Sequence, residues 1–300
     1  MSLVPSILPD ELLLGYLGRV AALNGCANRR DVALALGIER QARDAPSCEI
    51  ASVLSAVSKF NGLSVDQMLA SHTCHALSRS VGYRTSPVAW RNADDEANRL
   101  STRNLGNRLR YCPDCIQRDL KRSGFSYWRR RHQIPGRYVC GEHARCLGIA
   151  QMPSLADSFP EDAGNFQCAA EPEAVERCLR NPLVAFVLNF LEATLDSALI
   201  FDRERCSSVI QRIVRERGEE PTAPGWHRDF CRQIEASFPM AWLRLIFPAA
   251  KFPGGHLRPF YMGWISQHAL SIPHVSLAVV ASLLFPDAGH ALAVLTSDDC

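Results

Sequence analysis

The chain has 300 residues, 47% hydrophobic and 21% charged, with a formal net charge of +2. That balance excludes a disordered chain and gives enough length for one large or two ordinary domains with a real core. The longest mostly apolar run, Val275 to Phe285, is too short to cross a bilayer. The opening MSLVPSILPDELLLGYL lacks the basic region and small-residue cleavage site of a signal peptide, so no membrane span and a cytoplasmic location are expected.

Residues 1–76 read as a helical region. Asp10 can cap a first helix whose apolar positions, Leu12 to Leu23, repeat at helical spacing until Asn24-Gly25. A second helix runs from Arg29 to Leu36 and stops at Gly37. A third covers Glu49 to Phe60 and ends at Asn61-Gly62, and Ser64 caps a fourth from Val65 to Ala70. Short helices joined by glycine-containing turns are helix-turn-helix-like, a pattern that also builds any small helical bundle.

Residues 77–150 carry the strongest signal, YCPDC…YVCGEH. Cys112 and Cys115 form one pair split by two residues, and Cys140 and His143 form another. Such pairs let two side chains from one tight turn reach the same ion. Two pairs complete a tetrahedral set of three thiolates and one imidazole. Four protein ligands leave no open position for water, so the expectation is one structural Zn2+ and no catalytic metal. Tyr127, Trp128 and Ile134–Val139 have strand character around the Pro135-Gly136 turn. A short β-hairpin is expected to hold one pair and a knuckle or helix start the other.

Residues 151–300 read as a helical C-terminal domain. Pro153, Pro160, Glu161, Asp162 and Gly164 suggest a linker. Amphipathic stretches follow at Pro182–Ile200 and Cys206–Arg217, and Pro221, Pro224 and Gly225 break the chain before the stretch Trp226–Phe247. A Pro/Gly-rich loop, Pro248–Pro259, then precedes a last helix over Val275–Leu284. The fold class expected is mainly α, with the small zinc-bound hairpin module between two helical regions.

Charge is uneven. Between Arg79 and Arg145 there are 15 Lys and Arg against 6 Asp and Glu, leaving 18 against 25 elsewhere. Within this basic block Arg129, Arg130, Arg131 and Arg137 are the candidate nucleic-acid contacts, because guanidinium forks fit phosphate oxygens and guanine edges. An acidic protein partner would suit the same block. The 12 cysteines show no repeated spacing outside the ligand pairs, so free thiols in a reducing compartment fit better than a disulfide framework. His72, Cys74 and His75 could form a metal corner, but no second pair completes it.

The opening LPDELLLGYLGRVAALNG and the segment YCPDCIQRDL…YWRRRHQIPGRYVCGEH resemble the TniQ family of transposon target-selection proteins over roughly residues 5–150. The resemblance implies zinc on Cys112, Cys115, Cys140 and His143, with Trp128, His132, Gln133, Pro135 and Gly136 as framework residues of the module. Arg137 stands where an apolar residue is usual, and the second half carries no family motif. The implied role is a non-catalytic bacterial accessory of DNA transposition. It would select or bridge a target site, on DNA directly or through a target-recognition complex, and recruit an AAA+ ATPase regulator that engages the transposase. A homodimer is compatible with it.

Enzyme signatures are missing where they would be needed. There is no G-x-x-x-x-G-K-[ST], no H-x-E upstream of P-C-x-x-C, no H-E-x-x-H and no G-x-S-x-G. The competing reading is a zinc-containing DNA-binding transcription regulator or protein-interaction adaptor unrelated to transposition.

Overall fold

The computed structural model describes residues 2–27, 29–38, 46–78, 80–81, 108–151, 159–163, 166–197, 199, 201–247 and 272–297. The architecture is mainly helical. In chain order the elements are α1 Leu13–Asn24, α2 Arg29–Ala35, α3 Pro46–Phe60, α4 Val65–His72, α5 His75–Ser78, β1 Ser80–Val81, β2 Arg108–Tyr111 and α6 Pro113–Ser123. They continue with β3 Gly148–Gln151, α7 Pro172–Arg180, α8 Pro182–Asp196, α9 Arg203–Glu216, α10 Trp226–Ser237, α11 Met240–Ile246, β4 Ile272–Pro273, α12 His274–Leu284 and α13 Ala288–Thr296. Two compact units result. One holds Met1–His75, Thr85–Gln133 and Arg137–Ala169; the other holds Ala76–Arg84, Ile134–Gly136 and Ala170–Cys300.

In the first unit, α1 to α4 bury one apolar cluster that includes Tyr16, Val20, Leu54, Val57 and Met68. The helix ends follow local chemistry. Gly25, at φ 62°, takes the left-handed turn that ends α1, and the N–H groups of Gly25 and Cys26 bond the carbonyls of Ala22 and Ala21. Ser64 and Gln67 form a reciprocal capping box at α4, with bonds of 3.1 and 2.8 Å. Asp10 does not cap α1. Leu12 is the N-cap and supplies no side-chain bond. Asp10 instead sits at φ 59° with its carboxylate facing the Arg130 Nε at 3.4 Å and the Arg131 N–H at 3.2 Å. A nearby cation outcompetes the helix end for that carboxylate.

The sheet of this unit differs from expectation. β2 and β3 pair antiparallel, Arg108 opposite Gln151 through Tyr111 opposite Gly148, so the strands flank the ligand motif from outside. The stretch expected as a strand around Tyr127 bridges only at Arg129, opposite Glu11, and Arg131–Gln133 winds into a 3-10 turn. A hairpin does carry the second ligand pair, but it is short: Leu147 N–H bonds the Tyr138 carbonyl and Cys140 N–H bonds the Arg145 carbonyl. The expected linker also contributes structure. Pro160–Asp162 forms a 3-10 turn whose Glu161 carboxylate accepts from the Ser126 N–H at 3.2 Å and from its hydroxyl.

Cys146 and Cys168 form a disulfide, which departs from the expectation of free thiols; Gly148 bridges Cys168 beside it. The cause is pairing at the β3 edge, where Ile149 and Ala169 N–H groups bond the Gln167 and Leu147 carbonyls and bring the two sulfurs together.

In the second unit, α8 and α12 form the apolar centre. Residues all round α12 are buried, as expected for an internal helix. Phe186, Phe190 and Phe201 stack in series at centroid distances of 6.5 and 5.6 Å, and the His274 ring meets Phe201 at a tilt, 5.4 Å away. The stretch Trp226–Phe247 is two helices, because Pro239 cannot supply the N–H that a continuous helix needs. The Pro248–Pro259 loop lies outside the described residues. Among those described, no single helix is long and apolar enough to cross a membrane.

Candidate metal centre

Four donor atoms converge in the first unit. Cys112 follows β2 and is the N-cap of α6, where Pro113 fixes the first turn and carries Cys115 round to the same side. Cys140 and His143 lie in the tip of the short hairpin, where Ala144 adopts φ 51° and its N–H bonds the Cys140 carbonyl at 3.0 Å. The three cysteines are buried, His143 is half-buried, and all four donor atoms lie within 4.8 Å of one another.

The spacings have a specific size. Cys115 Sγ is 3.8 Å from Cys140 Sγ, and His143 Nδ1 is 3.6, 3.4 and 3.6 Å from the sulfurs of Cys112, Cys115 and Cys140. A tetrahedral ion with metal–sulfur bonds of about 2.3 Å and metal–nitrogen bonds of about 2.0 Å requires S–S edges of about 3.8 Å and S–N edges of about 3.6 Å. The cluster therefore has the dimensions to hold a metal ion, with Nδ1 as the imidazole donor.

Thiol electrostatics point the same way. Hydrogen bonds from Cys112 and Cys115 hold the Cys140 thiol far below its ordinary range. Sharing protons with Cys112 and Cys140, together with burial, pushes Cys115 far up. Three sulfurs this close cannot all ionise beside one another, and a cation held between them would take the place of the protons.

Two further groups face the sulfurs. His132, 5% exposed, places Nε2 3.8 Å from Cys115 Sγ, and Arg118 places Nη2 at 3.9 Å while its Nη1 reaches Glu142. Each can donate an N–H to a thiolate, the arrangement that orients ligands around a metal. Sequence reasoning missed Arg118; its position three residues after Cys115 on a helix was the available signal.

Gln133, Trp128 and Gly136 of the expected framework each have a definite contact. Gln133 is locked to Arg110 by three bonds: Arg110 N–H to Oε1 at 2.9 Å, Nε2 to the Arg110 carbonyl at 2.8 Å, and Arg110 Nη2 to the Gln133 carbonyl at 2.6 Å. Trp128 is buried against α1, where a Cβ on Gly15 would lie only 3.0 Å from its Cδ1. Pro135 is half-buried. Gly136 belongs to the second unit, where its carbonyl accepts the Trp242 indole N–H at 2.9 Å.

The arginines expected to meet nucleic acid are mostly inside. Arg129 is 5% exposed and forks onto Asp119 at 2.6 and 2.9 Å, with its guanidinium 4.2 Å from the Tyr127 ring centroid. Arg130, equally buried, faces Asp10 and the Ala70 carbonyl, and Arg137 is 7% exposed. Of the four only Arg131 is at the surface. The acids facing Arg129 and Arg130 come from another helix and another turn, which a charge count along the sequence does not register. A second buried pair also escaped the sequence: Arg19 forks onto Glu11 at 2.7 Å for both bonds.

Two residues of the HTCH segment, His72 and Cys74, serve packing. His72 Nδ1 lies 3.0 Å from the Glu11 carbonyl and Cys74 Sγ approaches the Arg130 carbonyl. Among the described residues Cys112, Cys115, Cys140 and His143 are the group of metal-ligating type.

A comparison with family models matches residues 2–147 to TniQ, while the curated proteins give no match. The matched span contains α1–α4, the whole ligand set and every framework residue from Trp128 to Gly136. Through residues 2–147 the chain belongs to the TniQ family, which ties it to DNA transposition as an accessory protein.

Proposed function

We propose that the chain is a non-catalytic target-selection factor that recognises or bridges an insertion site and recruits an AAA+ ATPase, which in turn engages the transposase. The single observation carrying this reading is the closed cluster of three cysteines and one histidine inside the span matched to TniQ. The ion is zinc. A soft tetrahedron of three sulfurs and one nitrogen suits it, and with four protein donors no position remains for a reacting water. Bound there, it would supply folding energy to a module with little apolar core of its own: Cys112, Cys115, Cys140 and Leu147 are its central buried cluster.

The role is then coupling. A protein that binds both a target and an ATPase lets the second assemble only where the first has bound. Such a factor works where the DNA is, in the bacterial cytoplasm. The domain plan is an N-terminal helical region, the zinc module and a helical C-terminal region, with 1–76, 77–150 and 151–300 as working boundaries. The α1–α4 helices serve as DNA reader or ATPase dock.

The test is reconstitution. With a candidate AAA+ ATPase regulator of transposition and a target duplex, ATPase loading onto DNA should depend on the chain and on its metal. Loading that proceeds equally without the chain sinks the proposal.

A further inference from the structure

With Arg129, Arg130 and Arg137 buried, the cationic surface of the metal module lies elsewhere, on α6. Its buried residues are Cys115 and Asp119, and its exposed ones are Gln117, Arg118, Lys121, Arg122 and Ser123. Positions 117, 118, 121 and 122 form two adjacent i, i+4 rows, so their side chains share one face of the helix. Every exposed residue on it is polar and none is acidic. Arg118 engages Glu142, whereas Lys121 and Arg122 meet no carboxylate among the described residues. Arg145 adds an exposed guanidinium, paired at 2.7 Å with Asp114 on the first turn of the same helix.

This face is also rigidly oriented. Its first turn carries two of the four metal donors, and Asp119 on the opposite side is fixed to buried Arg129. A helix of 11 residues is about 16 Å long, and a single helix of ordinary diameter fits the major groove of B-DNA, about 12 Å wide.

We propose that Gln117, Arg118, Lys121 and Arg122 form the surface by which this chain contacts duplex DNA, with Lys121 and Arg122 on the phosphate backbone. The proposal deepens the target-selection reading and rests on it. Duplex is favoured over an acidic protein because the face has no apolar or aromatic residue. Protein interfaces centre on aromatic anchors and are depleted in lysine, whereas Arg, Lys and Gln make the usual phosphate contacts.

The experiment is fluorescence anisotropy of the full metal-loaded chain with a labelled duplex of about 30 base pairs between about 50 and 300 mM salt. The double variant Lys121→Ala, Arg122→Ala should bind about tenfold more weakly at about 100 mM salt and lose about two from the slope of log affinity against log salt. Arg212→Ala, an exposed site in the second unit, should leave both unchanged. Metal content and melting temperature check that the variants are folded; Lys121→Gln, Arg122→Gln keeps helix propensity if the alanine pair misfolds.

Wild-type affinity and slope in the folded double variant overturn the assignment of this face while leaving DNA binding in place. Failure of the wild-type chain to bind duplex at any salt overturns the DNA reading as well. Binding of a labelled polyglutamate instead, lost in the same variant, overturns the duplex in favour of an acidic protein partner.

Discussion

Asp119 receives both guanidinium nitrogens of Arg129, at 2.6 and 2.9 Å, on the turn of α6 that follows Cys115. Both side chains are at most 7% exposed, so neither charge has water to fall back on. The pair fixes the back of the helix to the 127–130 segment, and the start of the helix carries Cys112 and Cys115 of the cysteine–histidine cluster.

Replacing Asp119 by alanine leaves a buried guanidinium unpaired, and the expected cost is about 3–5 kcal/mol of unfolding free energy. Replacing both residues, Asp119→Leu with Arg129→Leu, should cost distinctly less than Asp119→Ala alone, since no charge is then stranded. Urea titrations of the single and double variants measure this. A double variant no more stable than the single would mean that the pair is not the linkage.

The metal centre makes a separate prediction. Purified protein should carry about one zinc per chain by elemental analysis. Cys112→Ser or Cys140→Ser should lose it together with ordered structure in the module, because folding and coordination are linked there. His132→Ala should retain stoichiometric metal but hold it about 10–100-fold more weakly against a chelator, since His132 faces a sulfur and completes no coordination position. Full loss of metal in His132→Ala would instead make it a ligand.

How far these features were legible depends on the distance over which the causes act. The ligand pairs, the C-terminal stop of α1 and the start of α4 are written in a few adjacent residues: Pro113 between Cys112 and Cys115, Gly25 after Asn24, Ser64 with Gln67. The sheet was not legible, because Arg108–Tyr111 finds its partner far along the chain at Gly148–Gln151. The burial of Arg129, Arg130 and Arg137 was hidden for the same reason. Arg130 looks like part of a basic run, yet its acid is Asp10, 120 residues away in sequence. The disulfide likewise joins residues 22 apart that only strand pairing brings together.

Acid should loosen the first unit through His72. Burial lowers the pKa of this imidazole, whose Nδ1 faces the Glu11 carbonyl at 3.0 Å, so the folded state prefers it neutral. Below about pH 6.5 the unfolded chain binds a proton that the folded one resists, and stability falls as pH drops through that value. Thermal melts between about pH 8 and 5.5 should show this fall, and His72→Asn, which keeps a donor near the Nδ1 position, should flatten it. Equal pH slopes in wild type and variant would assign the acid sensitivity to other groups, such as the metal ligands.

Gly136 supplies a steric test inside the second unit. It adopts φ +80°, in the left-handed region that side chains avoid, and a Cβ there would stand 2.8 Å from the Trp242 Nε1 and 2.9 Å from the Ile246 Cγ2. Trp242 is fully buried, stacks on Phe238 at 5.2 Å and donates its indole N–H to the Gly136 carbonyl at 2.9 Å. Gly136→Ala therefore meets strain and overlap together, and it displaces an indole that has no other acceptor among the described bonds. Trp242→Phe keeps most of the ring volume and removes only the N–H. The expected losses are about 3 kcal/mol or more for Gly136→Ala and about 1–2 kcal/mol for Trp242→Phe, measured by urea unfolding. If Gly136→Ala proves as stable as wild type, the close approach of Trp242 to this turn does not exist in solution. If Trp242→Phe alone is neutral, the turn is held by shape, with the indole bond contributing nothing measurable.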